Sequence, residues 1–201
     1  MGLKQSDDLT YAVFFRTSKA FGKSPIESVD SRLTYYSLLE SFSPGEVICI
    51  ADNASEEQRL FFAEKSNSFY QTSKGNSGSF RLAIDLAPLH PADIYYFVED
   101  DHLHLPDQKS YLAAGLEYFD FISLYDHPDK YQGQFYPGLQ RQVLATSASH
   151  FASSPSTVMT FACKAETLCR ARAILLDPAF TGEALKVPRD HDMFVDLGKK
   201  G

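Results

Sequence analysis

The sequence predicts an α/β domain with a mostly parallel central sheet that is flanked by helices. Across residues 10–125, short apolar runs rich in β-branched and aromatic residues alternate with segments of helical period. This alternation is typical of strand–helix–strand units, in which the helices supply the right-handed crossovers between parallel strands. Residues 126–201 are less regular, and two apolar runs within them predict a small antiparallel part.

Five segments of the first half have the composition of strands. The fourth, Ile94-Tyr95-Tyr96-Phe97-Val98, is continuously apolar, as in a strand that is buried on both faces of a sheet. The five predicted strands are residues 10–16, 46–51, 69–71, 94–98 and 121–125. In the second half, we expect residues 142–146 and 157–163 to pair as antiparallel strands, with a loop of small residues between them.

Segments with apolar residues at helical spacing lie between the predicted strands. Pro25 suits a first helical turn, so a helix is predicted from Pro25 to about Ser41. Ser55 is a predicted N-cap, because acidic residues fill the turn that follows it. The other predicted helices are residues 54–65, 80–87, 107–118, 165–176 and one that begins at Asp190. Loops are predicted at residues 72–79 (TSKGNSGS) and 177–188.

Length and charge restrict the class of protein. A chain of 201 residues suits one domain with a sizeable core. The net charge of -7 argues against a nucleic-acid partner, whose binding surface would be basic. The three cysteines show no CxxC pairing and are predicted to be reduced core residues. With neither a signal-peptide pattern nor a membrane-length apolar run, we expect no membrane span and a cytoplasmic location.

Polar and acidic residues follow three of the predicted strands. They are Arg16-Thr17, Asp52-Asn53 and Glu99-Asp100-Asp101. The carboxyl ends of parallel strands share one sheet edge, where open α/β sheets bind ligands. Crowded carboxylates are costly unless a cation offsets them, and Mg²⁺ or Mn²⁺ prefers oxygen ligands. The alternatives are a solvated loop after the fourth strand and a simple helix-capping role for Asp52.

Two common nucleotide-binding motifs do not occur in the sequence. No GxGxxG follows the first strand, and GxxxxGK[ST] is found nowhere. A dinucleotide-dependent dehydrogenase and a P-loop NTPase are therefore disfavoured.

The order of four motifs resembles the GT-A fold of nucleotide-sugar glycosyltransferases, in particular the large family-2-like group. These motifs are Asp52-Asn53-Ala54-Ser55, Gly75-Asn76-Ser77-Gly78, Glu99-Asp100-Asp101 and Pro188-Arg189-Asp190-His191-Asp192-Met193-Phe194. The resemblance covers nearly the whole chain. It implies one catalytic domain, with a nucleotide-binding half at about 10–125 and an acceptor and catalytic half at about 126–201. The third motif is not a literal Asp-x-Asp, and Arg189 stands where the family has Glu.

The resemblance implies a role for several nucleotide-side residues. Asp52 is similar to the aspartate that contacts the nucleotide base, and Arg16 and Thr17 to the start of the base-binding loop. Asp101 would hold the divalent cation, Mn²⁺ or Mg²⁺, at the diphosphate. Asp100 or Glu99 would contact the ribose or the water ligands of that cation, and Asp100 is also a candidate ligand of the cation itself. Asn76, in the glycine loop, is a further candidate for phosphate or sugar.

The catalytic half carries the remaining candidates. Asp190 resembles the catalytic base, which would deprotonate an acceptor hydroxyl and give inversion at the anomeric carbon. The alternative is a helix N-terminal carboxylate that is favoured only by the helix dipole. His191 is a candidate metal ligand. The implied partners are a nucleoside diphosphate sugar, with UDP as the expected nucleotide, and a carbohydrate or glycoconjugate acceptor.

Two other functions fit the same residues. A sugar-1-phosphate nucleotidyltransferase also combines an α/β sheet with acidic metal sites, but its first loop usually carries a glycine cluster that is missing here. A non-catalytic sugar- or nucleotide-binding module would keep the fold without turnover, and Arg189 in place of Glu supports that alternative.

Overall fold

A six-stranded sheet forms the centre of the molecule in the computed structural model, which describes residues 8–18 and 30–200. In spatial order its strands are β3 (Ser68–Thr72), β2 (Val47–Asp52), β1 (Tyr11–Ser18), β4 (Ile94–Glu99), β8 (Phe161–Lys164) and β5 (Phe121–Ile122). The first four run parallel, whereas β8 is antiparallel to both of its neighbours. The prediction of a mostly parallel sheet is confirmed. A separate antiparallel pair, β6 (Val143–Ala145) and β7 (His150–Ala152), lies in the second half.

Helices cover both faces of the sheet. They are α1 (Ser31–Leu39), α2 (Glu56–Lys65), α3 (Gly75–Leu86), α4 (Gln108–Leu116), α5 (Ala165–Leu175), α6 (Pro178–Thr181) and α7 (Asp190–Lys200). Successive strand residues point to opposite faces, so Phe14 joins the core with α3, α5 and α7, and Phe15 joins the core with α1, α2 and α4. Phe14 stacks on Phe97 with ring centroids 5.3 Å apart. The ring of Phe15 meets the edge of Tyr35 at the same centroid distance, 5.3 Å.

The predicted loop at residues 72–79 is wrong, because α3 already begins at Gly75. Gly75 has a φ of +74°, which glycine adopts without a Cβ penalty, and it turns the chain from β3 into the helix. Ser77, Gly78 and Ser79 are buried within the helix. Tertiary packing of small side chains therefore overrides their weak helix propensity.

The predicted pairing of residues 142–146 with 157–163 is also wrong. β6 instead pairs with β7, which lies inside the predicted loop, and β8 enters the main sheet between β4 and β5. Phe161 explains this placement, because its ring is fully buried against Phe97, with centroids 5.2 Å apart. Two isolated strands would leave that ring in water.

The predicted helix from Pro25 is only partly testable, because residues 19–29 lie outside the described residues. The prediction that this helix runs through Asp30 is wrong. Asp30 has extended backbone angles and is the N-cap of α1, where its side chain accepts hydrogen bonds from the backbone of Arg32 and Leu33. The predicted N-cap at Ser55 is confirmed by its hydrogen bond from Gln58 N.

Two smaller predictions concern cysteines and membranes. Cys49 and Cys163 are buried and unpaired, as expected of core residues, whereas Cys169 is exposed. Among the helices in the described part of the chain, none has the length and apolar character that crossing a bilayer requires.

Candidate active site

The carboxyl ends of β1, β2 and β4 meet at one edge of the sheet, as predicted. Strand register sets Arg16 beside Glu99 and Ser18 beside Asp52. A cavity of about 440 Å³, which we term the sheet-edge cavity, opens there. Its lining includes Arg16, Thr17, Asp52, Asn76, Glu99, Asp100 and Lys186. This volume lies within the range of small-ligand sites, about 300–1,000 Å³.

A second cavity of about 460 Å³, termed the α7 cavity, adjoins the first. Its lining includes Ser156, Val158, Met159 and the segment from Val187 to Asp192. Asn76, Glu99 and Val187 line both cavities, so they mark the boundary between the two. Two ligands could therefore meet at Glu99.

Arg16 is buried beneath the sheet-edge cavity, with an exposed fraction of 4%. One guanidinium nitrogen lies 3.0 Å from a carboxylate oxygen of Glu99, and the other donates to the side-chain oxygen of Asn76 at 2.8 Å. The guanidinium also lies over the ring of Phe80. Arg16 therefore ties β1 to β4 and to the start of α3. Its Nε is buried without a hydrogen-bond partner among residues 8–18 and 30–200.

Asp100 connects the ends of β1 and β4. One of its carboxylate oxygens accepts hydrogen bonds from Thr17 Oγ1 at 2.7 Å and from the backbone N–H of Ser18 at 3.1 Å. Its backbone carbonyl accepts from Thr34 Oγ1 in α1. Thr17, predicted as the start of a base-binding loop, thus belongs to β1 and is held by the acidic motif.

Asp52 caps the helix that follows the glycine turn. Its Oδ1 accepts from the backbone N–H of Gly75, the first residue of α3, at 3.0 Å. The other oxygen accepts from the side chain of Asn53 at 2.9 Å. A buried carboxylate at a helix N-terminus is stabilised by the helix dipole. The capping alternative for Asp52 concerned the helix that directly follows it, α2, but the N-cap of α2 is Ser55. Asp52 instead caps α3, and it also lines the sheet-edge cavity.

Asp101 pairs with the next residue in the chain. Its carboxylate lies 2.7 Å from His102 Nδ1, and the His102 ring meets the edge of Tyr125 with centroids 4.4 Å apart. The side chain of Asp101 is 31% exposed. Its carboxylate is thus oriented by His102, and Asp101 is not among the residues that line the two cavities.

The predicted metal ligands form no preformed cage. Within the described ranges, no three His, Cys, Asp or Glu side chains are grouped so that they could hold a metal ion. Asp100 lines the sheet-edge cavity, whereas His191 lines the α7 cavity and packs against the ring of Tyr136. Mg²⁺ at a diphosphate is usually held by one or two carboxylates together with the phosphates. Of the two predicted aspartate ligands, which are neighbours in the sequence, Asp100 lines the sheet-edge cavity and Asp101 pairs with His102.

Asp190 lies at the first turn of α7 and accepts four hydrogen bonds. Oδ1 accepts from Thr157 Oγ1 at 2.8 Å and from Met159 N at 3.2 Å. Oδ2 accepts from Thr157 N at 2.8 Å and from Val158 N at 3.1 Å. A carboxylate offers about four acceptor positions. Asp190 would therefore have to release one of these donors before it could accept a proton.

The sequence did not indicate Lys186 and Val187 as cavity residues. Both lie within the predicted loop at 177–188. Their only signal was position, because Lys186 and Val187 directly precede the Pro188–Phe194 motif. Glu99, which was predicted as an alternative to Asp100 for the ribose or the water ligands of the cation, is one of the three residues that line both cavities.

Comparison with solved structures identifies similar folds. The chain resembles the crystal structure of Staphylococcus aureus TarS residues 1–349, with 18% sequence identity, a TM-score of 0.54 and 91% of this chain covered. The match covers 54% of the TarS chain, so this chain spans about half of that structure. A second match is the apo form of mouse xyloside xylosyltransferase 1, with 14% identity, a TM-score of 0.48 and coverage of 94% of this chain and 82% of that one.

Searches by sequence give no match, either among protein-family models or among curated proteins. TarS is a GT-A-type glycosyltransferase. Strands and helices alternate along this chain, its six-stranded sheet is mostly parallel, and its structure matches that of TarS. The chain therefore has the GT-A glycosyltransferase fold.

Proposed function

We propose that the chain is a glycosyltransferase that moves a sugar from a nucleoside diphosphate sugar, a UDP-sugar in our proposal, to an acceptor hydroxyl. The observation that carries this proposal is the pair of adjoining cavities at the carboxyl edge of a GT-A sheet. The sheet-edge cavity is the proposed donor site, and the α7 cavity is the proposed acceptor site. The transferred sugar would lie at their boundary, beside Glu99.

Charge in the donor site supports a divalent cation. Among the described residues that line it, the carboxylates of Asp52, Glu99 and Asp100 outnumber the cations of Arg16 and Lys186. A diphosphate would be repelled by this excess of negative charge. Asp100 and Asp101 are the proposed holders of Mn²⁺ or Mg²⁺, with His191 as a further candidate. The bound cation would offset the charge of the departing diphosphate.

The protein's own residues would orient both substrates. Asp52, at the end of β2, and Asn76, at the start of α3, both line the cavity that is proposed for the nucleotide. Lys186, which also lines this cavity, supplies a positive charge, and no ion pair is found for it among the described residues. We further propose an inverting course in which a carboxylate at the start of α7, predicted as Asp190, receives the acceptor's proton.

One observation favours a second candidate function. All four acceptor positions of Asp190 are occupied, which suits a module that binds a nucleotide sugar without turnover. The two functions differ in product formation. A screen of nucleotide sugars for slow release of the nucleoside diphosphate separates them, because only the transferase would consume its donor.

Calorimetry with UDP, in the presence and absence of Mn²⁺, tests the proposed donor site. We expect Mn²⁺ to tighten UDP binding about tenfold or more, a gain of roughly 1.4 kcal/mol. Asp100→Asn and Asp101→Asn should each reduce that gain. Asp196→Asn is the matched control, because Asp196 pairs with Lys200 on α7, outside both cavities. Absence of binding to UDP and to any other nucleoside diphosphate, with or without metal, would refute the proposal.

A further inference from the structure

The segment Thr157–Thr160 adopts a turn that its side chains disfavour. The backbone N–H of Thr160 donates to the carbonyl of Thr157 at 3.1 Å, which closes a four-residue turn. The two central residues, Val158 and Met159, have φ values of 49° and 58°. Positive φ at both central positions is the signature of a type I′ turn, which favours Asn and Gly. A β-branched residue such as Val158 rarely adopts this conformation.

Asp190 supplies the contacts that hold this turn. Its carboxylate accepts from three successive backbone N–H groups, those of Thr157, Val158 and Met159, at 2.8, 3.1 and 3.2 Å. It also accepts from Thr157 Oγ1 at 2.8 Å. Successive backbone N–H groups form a concave site for an anion, and here the anion is a side chain 31 to 33 residues away in the sequence.

The turn also reaches the acidic motif. Thr160 Oγ1 accepts from the backbone N–H of Glu99 at 3.2 Å, and Thr160 itself is 1% exposed. Val158 and Met159 line the α7 cavity, which Glu99 borders from the other side. The turn therefore links the start of α7 to the end of β4, across the boundary at which the two cavities meet.

From these contacts we infer that Asp190, in addition to its proposed role as proton acceptor, is a positioning residue. It holds Val158 and Met159 in the left-handed conformation and, on the proposed function of the cavity, thereby shapes the acceptor site beside Glu99. Without the carboxylate, the three N–H groups lose a charged acceptor, and the contacts that remain, the Thr160–Thr157 backbone bond and the Glu99–Thr160 bond, have to offset the backbone strain at Val158 alone. The segment would then relax toward negative φ, and the cavity wall that it forms would move.

Hydrogen exchange of the Thr157, Val158 and Met159 amides tests the inference without any substrate. In Asp190→Ala, we expect their protection to fall roughly tenfold to a hundredfold, as for loss of hydrogen bonds to a charged group. The matched control is Asp192→Ala, which removes a carboxylate from the same helical turn and the same cavity wall, and it should leave the protection unchanged. Unchanged protection in Asp190→Ala would overturn the inference. Should that variant fail to fold, Asp190→Asn provides the same comparison with side-chain volume kept.

Donor hydrolysis separates positioning from a proton-accepting role. Val158→Gly removes the Cβ penalty of positive φ, so the turn depends less on Asp190. In the Asp190→Ala background, added Val158→Gly should therefore raise UDP-sugar hydrolysis severalfold, with UDP affinity unchanged in calorimetry. A rate that stays at the Asp190→Ala level would overturn the positioning role, since glycine cannot replace a base. Absence of hydrolysis in the unsubstituted protein would refute the proposed function instead, and the exchange measurement would still decide the state of the turn.

Discussion

The ion pair between Arg16 and Glu99 gives the most quantitative prediction. Their side chains are only 4% and 14% exposed, and the charged atoms lie 3.0 Å apart. Arg16→Met keeps most of the apolar stem but removes the cation. Glu99 would then remain as a largely buried, uncompensated charge, which typically costs about 3–5 kcal/mol. For a chain of this size, that loss corresponds to a fall in melting temperature of roughly 6–20 °C.

A double-mutant cycle isolates the pair from its surroundings. Arg16→Met, Glu99→Gln and the double variant would be compared by urea unfolding at pH 7. We expect the double variant to be less destabilised than the sum of the single variants, by about 1–3 kcal/mol, because the residues are in contact. Arg172→Met is the control, since its partner Asp85 is 52% exposed and Arg172 itself 44%. Such a surface pair contributes less than about 1 kcal/mol.

The outcome also decides how Arg16 can contribute to nucleotide binding. A loss of under about 1 kcal/mol in Arg16→Met would refute the reasoning, because it would mean that the Glu99 charge is solvated at little cost. If the predicted loss is observed, UDP affinity has to be measured at a temperature at which the variant is fully folded. Any weakening that remains then reflects contact with the ligand rather than unfolding.

Two further predictions concern a cation and a buried histidine. Lys186→Gln should weaken UDP binding about two- to fivefold at low salt and less at high salt, as expected of an exposed charge. The control Lys199→Gln should leave UDP affinity unchanged. If Lys186→Gln binds UDP at low salt as tightly as the unsubstituted protein does, Lys186 does not contact the donor. Burial, with a smaller effect of His102, lowers the pKa of His104 to about 4. Below about pH 6.5, the unfolded chain therefore binds a proton at His104 that the folded protein does not bind. The free energy of unfolding is at its full value above that pH and decreases toward pH 4. The decrease is roughly 2 kcal/mol at pH 5. In thermal melts at pH 5 and 7, His104→Leu should reduce the difference in stability between the two pH values. If the difference is unchanged, it arises from other titrating groups.

Local sequence signals identified most of the sheet, because they depend on residues that are close together in the chain. The apolar runs of β1, β2 and β4 are long and bounded by polar residues, and Ser55 is followed by the acidic turn of α2. The common edge of the candidate site follows from the same reasoning, since parallel strands end on the same side. Asp52 and Asp100 accordingly line one cavity.

Features that depend on distant contacts were not predictable from local pattern. Gly75–Ser79 has the composition of a loop, but Arg16 and Asp52, from two different strands, both contact its first turn. The position of β8 depends on Phe161 meeting Phe97, which is 64 residues earlier in the chain according to their numbers. Neither contact leaves a periodic signal in the sequence.

Three of the acids predicted as site residues hold the backbone in place, and this limits how they can contact a ligand. Asp52, Asp100 and Asp190 each accept backbone N–H groups, and each thereby joins two elements at the cavity edge. A ligand or proton that engages one of their occupied oxygens has to displace such a bond, at a cost of about 1–3 kcal/mol. Exposed groups on the cavity walls, such as Lys186 and His191, can change partners without this cost. We therefore expect these hydrogen-bonded acids to fix the geometry of the edge, and the exposed groups to make the contacts that change as donor and acceptor bind.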